Sequence, residues 1–121
     1  MPRILLDHNC PRGVRDLLTG HEVRTAASMG WATLTNGHLL VLAESHGFDA
    51  LVTGDRNMRH QQNLVGRRIA LVVLPTNYWP TVRQHGEAIA RAVDQAAPGS
   101  YAEVDFGPAP RRVRRPQEPG P

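Results

Sequence analysis

Short apolar runs alternate along the chain with segments whose apolar residues recur every three or four positions. The first run, Ile4-Leu5-Leu6, stops abruptly at Asp7 and reads as a buried strand that delivers a carboxylate at its carboxyl end. Helix signals follow at once: Asn9 can cap, Pro11 suits a first turn that needs no amide hydrogen, and Val14, Leu17 and Leu18 keep helical spacing until Gly20. Residues 21–25, centred on Val23, predict a short second strand.

After a loop with Gly30 and Trp31, Thr35 offers an N-cap for a helix whose apolar side is Leu39, Leu40, Leu42 and Ala43 and which Gly47 closes. Ala50-Leu51-Val52-Thr53 then repeats the opening pattern, a β-branched, apolar strand running into Gly54-Asp55. The polar residues 56–63 predict a short helix or ordered loop, and residues 69–74, ended by Pro75, a central parallel strand. A long amphipathic helix is expected over residues 79–97, with Pro80 in its first turn, and a last short strand over 101–104. Beyond Phe106 the sequence offers almost nothing to bury, so a domain over residues 1–106 and a disordered Pro/Arg-rich tail over 107–121 are expected.

Strands alternating with helices imply an α/β domain in three layers, its mainly parallel sheet covered on both faces. Ligands of such sheets bind outside the carboxyl ends of the strands, where strand order reverses. Asp7 and Asp55 both fall at that edge.

Composition narrows the function only a little. The chain has 121 residues, the size of one ordinary domain, and its lone Cys10 leaves no internal disulfide, which suits a reducing cytosol. The apolar run at the N-terminus is too short for a signal peptide or a membrane span. All 14 basic residues are Arg, against 11 acids. Four of them, Arg111, Arg112, Arg114 and Arg115, crowd the tail, so the rest of the chain is close to neutral. The absence of Lys removes P-loop, receiver-domain and dehalogenase-type phosphatase chemistry, and no nucleophile elbow occurs.

Two carboxylates on one rim are hard oxygen ligands for Mg²⁺ or Mn²⁺, ions that pair with phosphate substrates. An Asp directly after a strand is also a common turn former or helix cap, and that reading stays open for each position taken singly. The string Leu5-Leu6-Asp7-His8-Asn9-Cys10-Pro11 resembles the "LLDENLP" opening of short bacterial PIN-like proteins related to the Mut7-C and VapC-toxin nucleases. Leu51-Val52-Thr53-Gly54-Asp55-Arg56-Asn57 is similar to their "LVTxDxD" segment, so the resemblance covers about residues 3–74.

The resemblance implies a PIN-like, metal-dependent endoribonuclease, the toxin of a toxin–antitoxin pair, with RNA as substrate, a small antitoxin protein as partner and a homodimer as assembly. It places Asp7 and Asp55 as catalytic acids and metal ligands, with Asn36 and Asn57 at positions where the family carries further acids. An amide offers a neutral carbonyl where a carboxylate offers charge, which lowers the expected metal affinity. Glu44, two helical turns beyond Asn36, is a compensating candidate, with His38 behind it; Asn9 is a supporting ligand or simply a cap. Arg12, Arg56 and Arg59 are the leading phosphate contacts, followed by Arg15, Arg67 and Arg68, and Trp31, Tyr78 and Trp79 are candidates for base stacking or core packing. The alternative to a nuclease is a PIN-like domain that has lost catalysis and serves as a binding module.

Overall fold

The computed structural model describes residues 3–55, 64 and 66–107. In chain order they form β1 (Arg3–Leu6), α1 (Val14–Leu17), β2 (Glu22–Thr25), α2 (Asn36–Ser45), β3 (Ala50–Thr53), β4 (Ala70–Val73), α3 (Trp79–Val82), a 3₁₀ turn (Arg83–His85), α4 (Gly86–Gln95) and β5 (Tyr101–Glu103). The five strands make one sheet in the order β2-β1-β3-β4-β5, and every pairing is parallel.

Alternation along the strands sorts their side chains to two faces. Ile4, Leu6, Ala50, Val52, Ala70 and Val72 pack with Val14 and Leu18 around α1 and with Ile89 and Val93 of α4. Leu5, Leu51, Leu71 and Val73 pack on the other face with Leu39, Leu40 and Ala43 of α2. Helices therefore cover both faces, and β1, β3 and β4 read as continuous apolar runs because neither of their faces meets water. Each of these fully buried Leu or Ile side chains contributes about 1.5–3 kcal/mol relative to exposure.

Two predicted helices are shorter than their apolar spacing suggests. α1 starts only at Val14, because the backbone of residues 7–13 is spent on turns, with the Cys10 amide on the Asp7 carbonyl and the Val14 amide on the Pro11 carbonyl. The span 79–97 is broken into α3, the 3₁₀ turn and α4. The second of these helices begins at Gly86, where Leu17 sits so close that an added Cβ would lie 3.3 Å from its Cδ2. Among the described residues no helix is long and apolar enough to cross a membrane. The expected element at 56–63 and the tail beyond Gly107 lie outside the described residues.

Candidate active site

Strand order reverses between β1 and β3, since β2 lies on one side of β1 whereas β3, β4 and β5 follow on the other. At such a reversal the loops leave in opposite directions and open a crevice at the carboxyl edge. Asp7 follows β1 and Asp55 follows β3, so the two acids border this crevice.

Asp7 is only 2 % exposed, and both of its carboxylate oxygens are bonded within the protein. The Asn9 amide donates to Oδ1 at 2.9 Å, and the Thr53 hydroxyl donates to Oδ2 at 2.5 Å. Thr53 Oγ1 in turn accepts from the Asp55 amide at 3.0 Å, so one hydroxyl ties the ends of β1 and β3 together. Burial pushes the Asp7 carboxyl above its ordinary range, the bonds from Thr53 and Asn9 and the nearby His8 pull the other way, and Asp55 adds a further upward push. The opposing influences describe a carboxylate held in place by donors yet poorly solvated.

Asp55 is partly buried and lines an open hollow of about 450 Å³ with His8, Asn9, Thr35, Asn36 and Gly37. Thr35 caps α2 by accepting the His38 amide at 3.3 Å, which fixes the start of the helix at this hollow. Asn36, the first residue of α2, donates its side-chain amide to Asp55 Oδ2 at 3.4 Å. Gly54 lets the rim close: a Cβ there would lie 2.6 Å from the Asn9 carbonyl oxygen and 2.8 Å from the Asn77 Cβ.

No family model, curated protein or solved structure matches the chain. The arrangement of side chains at the rim is therefore the ground on which a function can be argued.

Asp7, Asn9, Asn36 and Asp55 come together at this edge, and Arg12 lies on the same loop as Asn9. Glu44 does not join them. Its carboxylate sits at the opposite end of α2, where it accepts the Arg68 amide and, at 3.4 Å, the Ile69 amide, and pairs with Arg67 Nη1 at 3.3 Å. The Arg68 amide, first among these donors, holds Glu44 below the ordinary carboxylate range. Glu44 thus anchors the start of β4, because two turns of helix carry it away from the carboxyl edge. Asn57, Arg56 and Arg59 lie outside the described residues.

Asn9 does not cap α1, whose N-cap position is Gly13, and its backbone amide donates to Asp7. Cys10 is buried and free, and burial raises its thiol well above the usual value. Trp31 packs edge-on against His46 and Phe48, and Trp79 lies over Gly13, which leaves Tyr78 as the aromatic exposed beyond β4. Thr53 is the residue that the strand pattern hides: a β-branched residue at the end of an apolar run reads as packing, although a hydroxyl two positions before an acid was the available signal.

A cation at this rim would be held only in part by protein. Among the described residues no group of three or more His, Cys, Asp or Glu side chains assembles, so an all-protein cage is not formed there. Mg²⁺ commonly takes one or two carboxylates and completes its shell with water and substrate phosphate; at this rim Asp55 lines the open hollow, whereas Asp7 is buried with both oxygens accepting protein donors.

Proposed function

We propose that this chain is a metal-dependent endoribonuclease of the PIN-like, toxin type, acting in the cytosol and held in check by a small antitoxin protein. The observation that carries this reading is the joining of Asp7 and Asp55 at the strand-order reversal through the single hydroxyl of Thr53. Two acids from adjacent strands, one buried and one facing a hollow, supply negative charge where a phosphodiester can enter. A bound Mg²⁺ or Mn²⁺ would activate water and offset charge on the phosphate. Asp7 and Asp55 would hold it, Asn36 would orient Asp55, and Tyr78 offers a face for an unpaired base. A homodimer is part of the same reading.

A second reading, a binding module without catalysis, is favoured by a specific observation. Both Asp7 oxygens already accept protein donors, and the position expected to hold a third acid is the amide of Asn36.

Calorimetric titration with Mn²⁺ and Mg²⁺, using wild type, Asp7→Asn and Asp55→Asn, separates the two. The nuclease reading expects one binding event that both substitutions abolish, together with metal-dependent cleavage of mixed RNAs by wild type only. Cleavage that persists in both variants, or none under any metal, would sink it; circular dichroism establishes that the variants are folded.

A further inference from the structure

The loop between β1 and α1 borders two hollows. His8 and Asn9 line the one that contains Asp55, whereas Arg12 and Gly13 line a second, of about 570 Å³, closed by Arg15, Thr25 and Ser28. Both hollows open at the carboxyl edge, because Arg12 precedes α1 and Thr25 ends β2. From these positions we infer that the second hollow seats a phosphate of a single-stranded RNA whose neighbouring phosphodiester lies at the acidic rim. This inference deepens the proposed function and rests on it for the choice of RNA as ligand.

Three features make the hollow a phosphate seat. Arg12 and Arg15 are one turn apart, the Arg15 amide bonding the Arg12 carbonyl at 3.1 Å, so their side chains rise from the same wall. Among the described residues neither guanidinium is engaged in an ion pair, unlike Arg3, Arg24 and Arg67. Asp16 also borders the hollow, so two guanidiniums stand against one carboxylate.

The opposite wall is rigid. The Thr25 amide donates to Ser28 Oγ at 3.2 Å, the Ser28 amide to Thr25 Oγ1 at 3.0 Å, and the Ser28 hydroxyl to the Thr25 carbonyl at 2.8 Å. The base of the arginine wall is equally fixed, with Val14 and Leu18 buried in the core and Gly13 under the Trp79 indole. Guanidinium forks match phosphate oxygens and carry no base preference, so the seat would set the register of the chain across the rim and leave its sequence unread.

The test measures the affinity of a short fluorescent single-stranded RNA for the full chain in EDTA over a series of salt concentrations. Wild type is compared with the double variant Arg12→Gln/Arg15→Gln and with Arg83→Gln/Arg91→Gln, which removes equal charge from elsewhere. The seat predicts that the first double variant binds about tenfold more weakly at low salt and that its log K against log salt slope falls by about 1.4, two contacts at about 0.7 each. The control should lie near wild type. Equal loss in both variants, no loss in either, or no RNA binding by wild type would overturn the inference. Cleavage is followed separately in Mn²⁺: arginine-dependent binding without cleavage would refute the nuclease and leave the seat standing.

Discussion

The Thr53 hydroxyl donates to Asp7 Oδ2 at 2.5 Å across 46 positions of sequence, and it is the bond through which the two acid-bearing strand ends are coupled. Removing the oxygen while keeping the shape, as in Thr53→Val, strips Asp7 of one donor and deletes the hydroxyl that accepts from the Asp55 amide. The expected cost is about 1–3 kcal/mol for leaving buried polar groups unmatched. Thr53→Ser keeps the hydroxyl and should recover most of the loss. Urea unfolding of the three proteins measures this, and a Thr53→Val protein as stable as wild type would show that the bond contributes nothing.

Protonation of Asp7 should leave a mark on stability. Its carboxyl is raised in the folded protein above the ordinary value of 3.8, chiefly by burial. The folded state then binds this proton more tightly than the unfolded chain does. The stabilisation is complete below the unfolded value and is lost as pH rises through the raised folded value. Asp7→Asn cannot titrate, so wild-type stability minus that of the variant should decline over this window and level off above it. Denaturation midpoints at a series of pH values give the difference directly; a constant difference would contradict the burial argument.

Gly54 is the position where the rim tolerates no side chain. In Gly54→Ala the new Cβ would sit 2.6 Å from the Asn9 carbonyl oxygen, a backbone atom that cannot swing aside as a flexible side chain does. A loss of about 1–3 kcal/mol is expected, typical of overpacking. The displacement should fall on the Asn9 loop. Amide chemical shifts of Asn9 and Cys10 report it, and unchanged shifts would mean that the loop had given way elsewhere.

Much of the fold was legible because burial on both faces leaves a plain trace. The runs ending at Leu6, Thr53 and Leu74 became β1, β3 and β4 almost residue for residue, and Thr35 caps α2 as its hydroxyl suggests. Strand order was not readable, since nothing in an apolar run says which neighbour it pairs with, and the reversal between β1 and β3 appears only in three dimensions. Helix lengths misled for a related reason: Val82, Ile89 and Val93 keep apolar spacing through a break at the 3₁₀ turn, because all three face the same core. At the site, Asp7 and Asp55 could be paired from their places after strands. Glu44 could not be placed, as two helical turns suffice to move a side chain from one edge of the sheet to the other.

The 46-residue separation of Asp7 and Thr53 also bears on when the rim can exist. β1 precedes β3 in the chain by more than forty residues, yet one of its two partners is β3, and the hydroxyl that holds its terminal carboxylate belongs to β3 as well. Closing so distant a pairing costs chain entropy before any contact repays it, as in parallel sheets generally. A nascent chain that has made only β1, α1 and β2 therefore carries Asp7 without its partner acid, and the crevice is assembled only after β3 has been synthesised.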